Sequence, residues 1–278
     1  MATFELFRYQ LLPASQEPQQ DLFGESLTLE QIKAKKNVLF WDVLKQLFPF
    51  DSPDLLQKVV LAEGGWLVVK LAPRRKAVIH KPDFRSEFVE DWPHVTLFVN
   101  NDPQVQVVGV SRNQRAFKDP FSVVRKLDQR IARRLSQRGL TVHFQSMYDQ
   151  LEFWDLMLKQ RGKVQKVRFE MIAPNMANIS GVLQLDLRRL NQESNAQKTT
   201  VELEATAGTA LQIDESDALI ASCVEYSANG GGDIKVKLRN VKKEIRTSTS
   251  IRTFEADELV FENTTPEFLD HFWKGVLK

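Results

Sequence analysis

Apolar and polar positions alternate from the start of the chain. FELFRYQLL (residues 4–12) has the two-residue period and aromatic content of a strand, and the polar PASQEPQQDLFGES after it reads as a loop. The period then lengthens. Ile32, Lys35, Lys36, Leu39, Phe40, Val43, Leu44 and Leu47 recur at helical spacing, with Ser26 or Thr28 as the cap and Pro49 and Pro53 as breakers. Residues 58–80 predict a β-hairpin turning at Glu63-Gly64-Gly65. A second hairpin is expected where apolar runs 95–99 and 105–110 flank Asn100-Asn101-Asp102-Pro103.

Beyond Lys118 the helical period returns. Asp119-Pro120 opens a helix whose Val124, Leu127, Ile131 and Leu135 form one stripe, ending near Gly139, with Lys126, Arg130, Arg133 and Arg134 expected on the opposite face. LTVHF predicts a strand, residues 147–162 an aromatic helix built on Leu151, Trp154 and Leu158, and KVQKVRFEMI another strand. Residues 175–198 fit either a helix or a strand. A strand over 200–213, a helix over 214–228 capped by Asp214, a hairpin over 233–253 and a last helix from Pro266 complete the pattern. The expected fold class is α+β: a strand-rich domain with one long helix over 1–116, then a mixed α+β domain over 117–278.

Composition fits a folded protein: 278 residues, 42% hydrophobic and 27% charged, enough for one large domain or two smaller ones. No apolar run approaches membrane-spanning length and no secretory pattern opens the chain, so a cytoplasmic location is expected. One cysteine, Cys223, excludes an internal disulfide, and four scattered histidines lack metal-ligand spacing. Neither a metal nor a cofactor is expected from local motifs.

Charge is where the chain departs from the ordinary. The net charge is only +2, yet residues 118–138 hold seven Lys/Arg against two Asp, and residues 233–252 hold seven against Asp233 and Glu244. Such clustering favours a polyanion, most often nucleic acid. The candidate contacts are Lys126, Arg130, Arg133 and Arg134 on the helix, and Lys235, Lys237, Arg239, Lys242 and Lys243 on and after the strand, read as holding DNA mainly by its phosphates. Solvent-facing cations are also the ordinary outside of an amphipathic helix.

Other chemistry is thinner. Gly230-Gly231-Gly232 could admit a phosphate but lacks the order of a P-loop or dinucleotide fingerprint. Asp233-Ile234-Lys235, with Asp214 or Asp217 upstream, matches the acid-x-Lys pattern of metal-dependent nucleases, a pattern common by chance. Tyr148, Phe153, Trp154, Phe268, Phe272 and Trp273 are candidates for base stacking or for the core. Cys223, in an apolar helical setting, is expected to be a buried thiol. The final helix is apolar nearly all round and must bury itself against its own chain or a partner, which makes a dimer interface one option.

TLFVNNDPQVQVVGVSRNQRAFKDP, LTVHFQSMYDQLEFWDLMLKQRGKVQKVRFEMIAPN and ANGGGDIKVKLRN, in that order, resemble the RexA exclusion protein of phage lambda and related bacterial anti-phage proteins, among which the KwaB component of the Kiwa system is a candidate member. The resemblance covers about half the chain and rests on patterns of strand, helix and turn. It implies a two-domain, dimeric, non-enzymatic DNA-binding protein working beside a second, membrane-embedded component. No catalytic residue carries over. Two alternatives remain open: a metal-dependent nuclease at Asp233 and Lys235, and a protein-interaction subunit of a larger assembly.

Overall fold

The computed structural model describes residues 1–14, 27–49, 52–173, 194, 196–247 and 250–276. Its spine is β1 (Ala2–Pro13), buried over nearly all its length because it has neighbours on both edges and cover on both faces. On one edge β1 pairs with β7 (Val107–Ser111). Along the other, residues 2–5 pair with β13 (Thr253–Ala256) and residues 7–13 with β8 (Leu140–Ser146). With β6 (Val95–Asn100), β3 (Trp66–Pro73) and β2 (Leu55–Glu63) these make a seven-stranded antiparallel sheet.

Alternation along β1 sorts its side chains between two cores. Phe7, Tyr9 and Leu11 face a layer of two helices, α1 (Leu29–Leu47) and α2 (Pro120–Ser136), while Phe4 and Leu6 face the other side. α1 starts at a capping box in which Thr28 Oγ1 accepts from Gln31 N and Gln31 Oε1 accepts from Thr28 N. The second face is closed by a 3₁₀ turn, Glu258–Phe261, and by the last helix (Pro266–Val276), whose Leu269 and Trp273 pack beside Trp66 and Phe98. The terminal helix therefore buries one face, Leu269 and Trp273, within its own chain and leaves Phe268 half-exposed.

A second unit holds the four-stranded antiparallel sheet β10-β9-β11-β12: β9 (Val164–Ile172), β10 (Lys198–Glu204), β11 (Gly232–Leu238) and β12 (Ile245–Arg246). α3 (Gln150–Lys159) and α4 (Ala218–Tyr226) cover one face, burying Phe153, Phe169, Val224 and Ile234. The class is α+β, as expected. A division at 116/117 does not follow the packing, because α2, β8 and β13 all complete the first sheet and its core.

Several elements differ from the sequence pattern. The hairpin predicted over 58–80 turns at Gly64-Gly65 as expected but ends at Pro73. Arg75–His80 is instead β4, paired with β5 (Ser86–Asp91) in a separate two-stranded ribbon. The strand predicted over 200–213 stops at Glu204. The cap of α4 is Asp217, which accepts from Leu219 N and Ile220 N, whereas Asp214 closes a turn onto Ser216 N. Most of the ambiguous stretch 175–198 lies outside the described residues.

Candidate nucleic-acid interface

Asp119 starts α2 by accepting from Ser122 N at 2.7 Å, and Pro120 occupies the first turn. Val123, Val124, Leu127, Ile131 and Leu135 are then drawn into the sheet-facing core, each worth about 1.5–3 kcal/mol of burial. That anchoring fixes where the cations go. Lys126, Arg130 and Arg134 are four residues apart, so they form one row, rising about 6 Å per step, along the flank of α2 that adjoins α1.

Contacts bear out this placement beside α1 rather than opposite the core stripe. Lys126 Nζ lies 5.4 Å from the centre of the Phe117 ring, and Arg134 Nη1 donates to Gln46 O at 3.2 Å. Lys126 and Arg130 line a cleft of about 370 Å³ between α2, the end of α1 and the start of β2. Arg133 is exposed farther round the helix, and Arg125, exposed on the same helix, joins the set that spacing alone passed over. Arg138 meets Asp42 of α1 at 3.7 Å. The one acid within α2, Asp128, is half-buried, and burial raises its pKa despite the nearby His143.

The second cluster sits on a different sheet and is used differently. Lys235 Nζ is 2.6 Å from Glu170 of the neighbouring strand, and Lys198 reaches the same carboxylate at 3.1 Å. Burial alone would raise the Glu170 pKa, but Lys235 and Lys198 together hold it below the ordinary range. Lys237 Nζ donates to Lys242 O at 2.7 Å, and Arg239 Nη2 to Gly208 O and Thr209 O at 3.0 and 2.7 Å. Lys166 and Arg168 on β9 are bound by Glu202 at 2.8 and 2.6 Å. Lys166, Arg168, Lys198 and Lys235 are thus paired with acids on adjacent strands, Lys237 and Arg239 are held by backbone carbonyls, and Lys242 and Lys243 are exposed in the turn before β12.

Close packing accounts for the glycine triplet. A Cβ on Gly230, at φ +80°, would lie 2.4 Å from Arg8 Cβ; on Gly231 it would strike the Tyr226 ring at 2.3 Å, and on Gly232 the Glu170 carbonyl at 2.2 Å. The triplet lies in the bend between α4 and β11, and that bend packs against β1 of the first sheet, with Gln10 Nε2 donating to Gly230 O at 3.2 Å. Arg8 is buried at this junction, where desolvation and then Arg252 lower its pKa to about 10, so it keeps its charge at neutral pH.

The acid-x-Lys pattern finds no convergent partners. Asp214 and Asp217 hold local backbone N–H groups, Lys235 holds Glu170, and among the described residues no three His, Cys, Asp or Glu side chains are grouped to share an ion. Of the stacking candidates, Tyr148, Phe153 and Trp273 belong to cores, Trp154 and Phe272 pack partly buried against them, and Phe268 is half-exposed. Cys223 is buried and its thiol is pushed up to about 11 by desolvation.

Fold and surface together define an α+β protein with one cationic helix flank. Among the described residues no helix is long and apolar enough to cross a membrane. Compared with protein-family models, curated proteins and solved structures, the chain matches none.

Proposed function

We propose that this chain binds DNA through its phosphate backbone, using Lys126, Arg130, Arg133 and Arg134 of α2, and that it acts in bacterial defence against phage without catalysing a reaction. The observation that carries the binding is the row of cations along an exposed helix flank whose own acid, Asp128, is half-buried. Helix packing against the sheet holds the backbone of the row in place, so contact costs little conformational freedom beyond that of the cations themselves. Arg125 extends the row, and Lys242 and Lys243 are candidates for an outlying contact. Lys235, Lys237 and Arg239 are assigned to holding the second sheet together. The defence setting, and a second protein working beside this one, membrane-embedded in that setting, rest on the resemblance seen in the sequence.

Binding of this kind weakens steeply with salt. The test is affinity of the purified chain for labelled duplex DNA across a salt series with magnesium present and the DNA checked for cutting. Salt-dependent binding without cutting, lost on replacing Lys126, Arg130, Arg133 and Arg134 by Ala in a folded protein, is expected. Unchanged affinity in that variant would sink the assignment.

A further inference from the structure

α1 and α2 pack antiparallel, and their contacts step in opposite directions along the two helices. Arg134 donates to Gln46 O at 3.2 Å; Arg138, four residues on, meets Asp42, four residues back along α1, at 3.7 Å. The row that begins at Lys126 and continues through Arg130 and Arg134 therefore runs into α1. Arg138, in the turn just after α2, is its next member at the same four-residue spacing. Lys45 reaches Asp42 from one turn along α1, also at 3.7 Å.

The carboxylates of these two helices are Glu30, Asp42 and Asp128. Glu30 is engaged by Lys33 at 3.0 Å near the start of α1, and Asp128 is half-buried. Asp42 alone stands at the end of the cationic row, between Arg138 and Lys45. An acid placed there works against a polyanion, because it repels phosphate and occupies a cation that phosphate would use. Its pairs are also exchangeable. Both are long, and the Asp42 side chain is 41% exposed, conditions under which an ion pair adds little to the fold and a phosphate oxygen serves the guanidinium at least as well. Glu170, the acid that holds Lys235, is 17% exposed and 2.6 Å from its partner, so that pair is part of the sheet.

We propose that Asp42 is an internal competitor for phosphate: it holds Arg138 in the free protein, gives it up to the DNA backbone on contact, and so keeps affinity below what the cations would reach without it. The inference rests on the DNA-binding reading of α2. It adds Arg138 to the contacts and assigns to α1 the residue that limits them. Binding held down in this way stays reversible, since each departure of the DNA is assisted by a carboxylate that returns to Arg138.

The experiment is affinity for labelled duplex DNA across a salt series, measured on the wild type, Asp42→Asn, Arg138→Ala and the two combined, each checked by circular dichroism. Asparagine keeps the size of the side chain and removes its charge. Asp42→Asn should bind at least ~5-fold tighter at ~0.1 M salt, with a salt slope steeper by about 1. Arg138→Ala should weaken binding by about 2-fold in the wild type and at least ~5-fold in Asp42→Asn, a coupling that a carboxylate acting only as a nearby charge would not produce. Unchanged affinity in Asp42→Asn, beside the loss expected on replacing Lys126, Arg130, Arg133 and Arg134, would overturn the inference and leave the DNA-binding reading standing. So would tightening that Arg138→Ala does not reverse. Failure of the wild type and Asp42→Asn alike to bind at low salt would overturn the DNA-binding reading, and this inference with it.

Discussion

Residues 118–138 and 233–252 have the same local excess of positive charge, but the fold treats them in opposite ways. On α2 the burial stripe anchors the helix and its cations are left along one flank, where Arg134 donates to Gln46 O, Lys126 lies over the Phe117 ring and Arg138 meets Asp42 of α1. On β11 the alternation of the strand places each cation beside β9, where Glu170 lies, or against loop carbonyls. Charge counted along a chain does not distinguish these cases. What sets Lys235 apart is that the neighbouring strand brings Glu170 against it in a partly buried pair.

The largest effect expected from this contrast is on binding. Replacing Lys126, Arg130, Arg133 and Arg134 by Ala should lower DNA affinity by roughly 10²–10³-fold at ~0.1 M salt and reduce the salt slope by about 3–4. Replacing Lys235, Lys237 and Arg239 by Ala should change affinity by less than a few-fold. A reversal of the two results, measured on folded variants by fluorescence anisotropy, would exchange the roles given to the two regions.

Stability should show the opposite ranking. Gly230→Ala forces a side chain into Arg8 at a positive φ and should destabilise by about 2–3 kcal/mol without altering DNA affinity. Loss of binding at unchanged stability would return the glycine triplet to a ligand role. Lys235→Met leaves the partly buried Glu170 with Lys198 as its remaining lysine and should cost about 1–2 kcal/mol by urea unfolding. Arg133→Met, on an exposed helix face, should change stability by no more than about 0.5 kcal/mol.

How much of this was legible beforehand follows from the range of each interaction. α1 and α2 were readable because their caps and stripes are local: Thr28 and Asp119 sit within three residues of the groups they cap. The turn at Gly64-Gly65 was readable for the same reason. The neutralisation of Lys235 was not, because Glu170 is 65 residues away and meets it through sheet register. The ribbon was hidden because KAVIH continues the apolar character of β3, whereas the ladder to β6 ends at Leu71 and the chain beyond Pro73 pairs with Ser86–Asp91. The line at 116/117 marked a change of period and missed that β1 recruits β8 and β13 from far along the chain.

The smallest expected effect concerns pH and separates the units once more. Desolvation is the largest influence on His143 in the first unit and lowers its pKa, although Gln197 and Asp128 oppose it and Lys198 adds to it. A lowered histidine stabilises the fold in its neutral form, so its contribution is full above the unfolded value of 6.5 and is lost as pH falls through that value toward the folded one. In the second unit Lys166 and Arg168 hold the Glu202 pKa below its ordinary 4.5, so that contribution is intact above 4.5 and is lost only as pH falls through the depressed value. Asp128 runs the other way: its raised pKa favours the protonated acid, so its cost appears as pH rises from the unfolded 3.8 through the raised folded value. Acidification from pH 7 to 5 should therefore loosen the first unit before the second. Hydrogen exchange should show β8 losing protection ahead of β9 in that interval, and His143→Gln should remove the difference. Equal loss in both strands would mean that the two units unfold together and that the histidine is not what sets the acid limit.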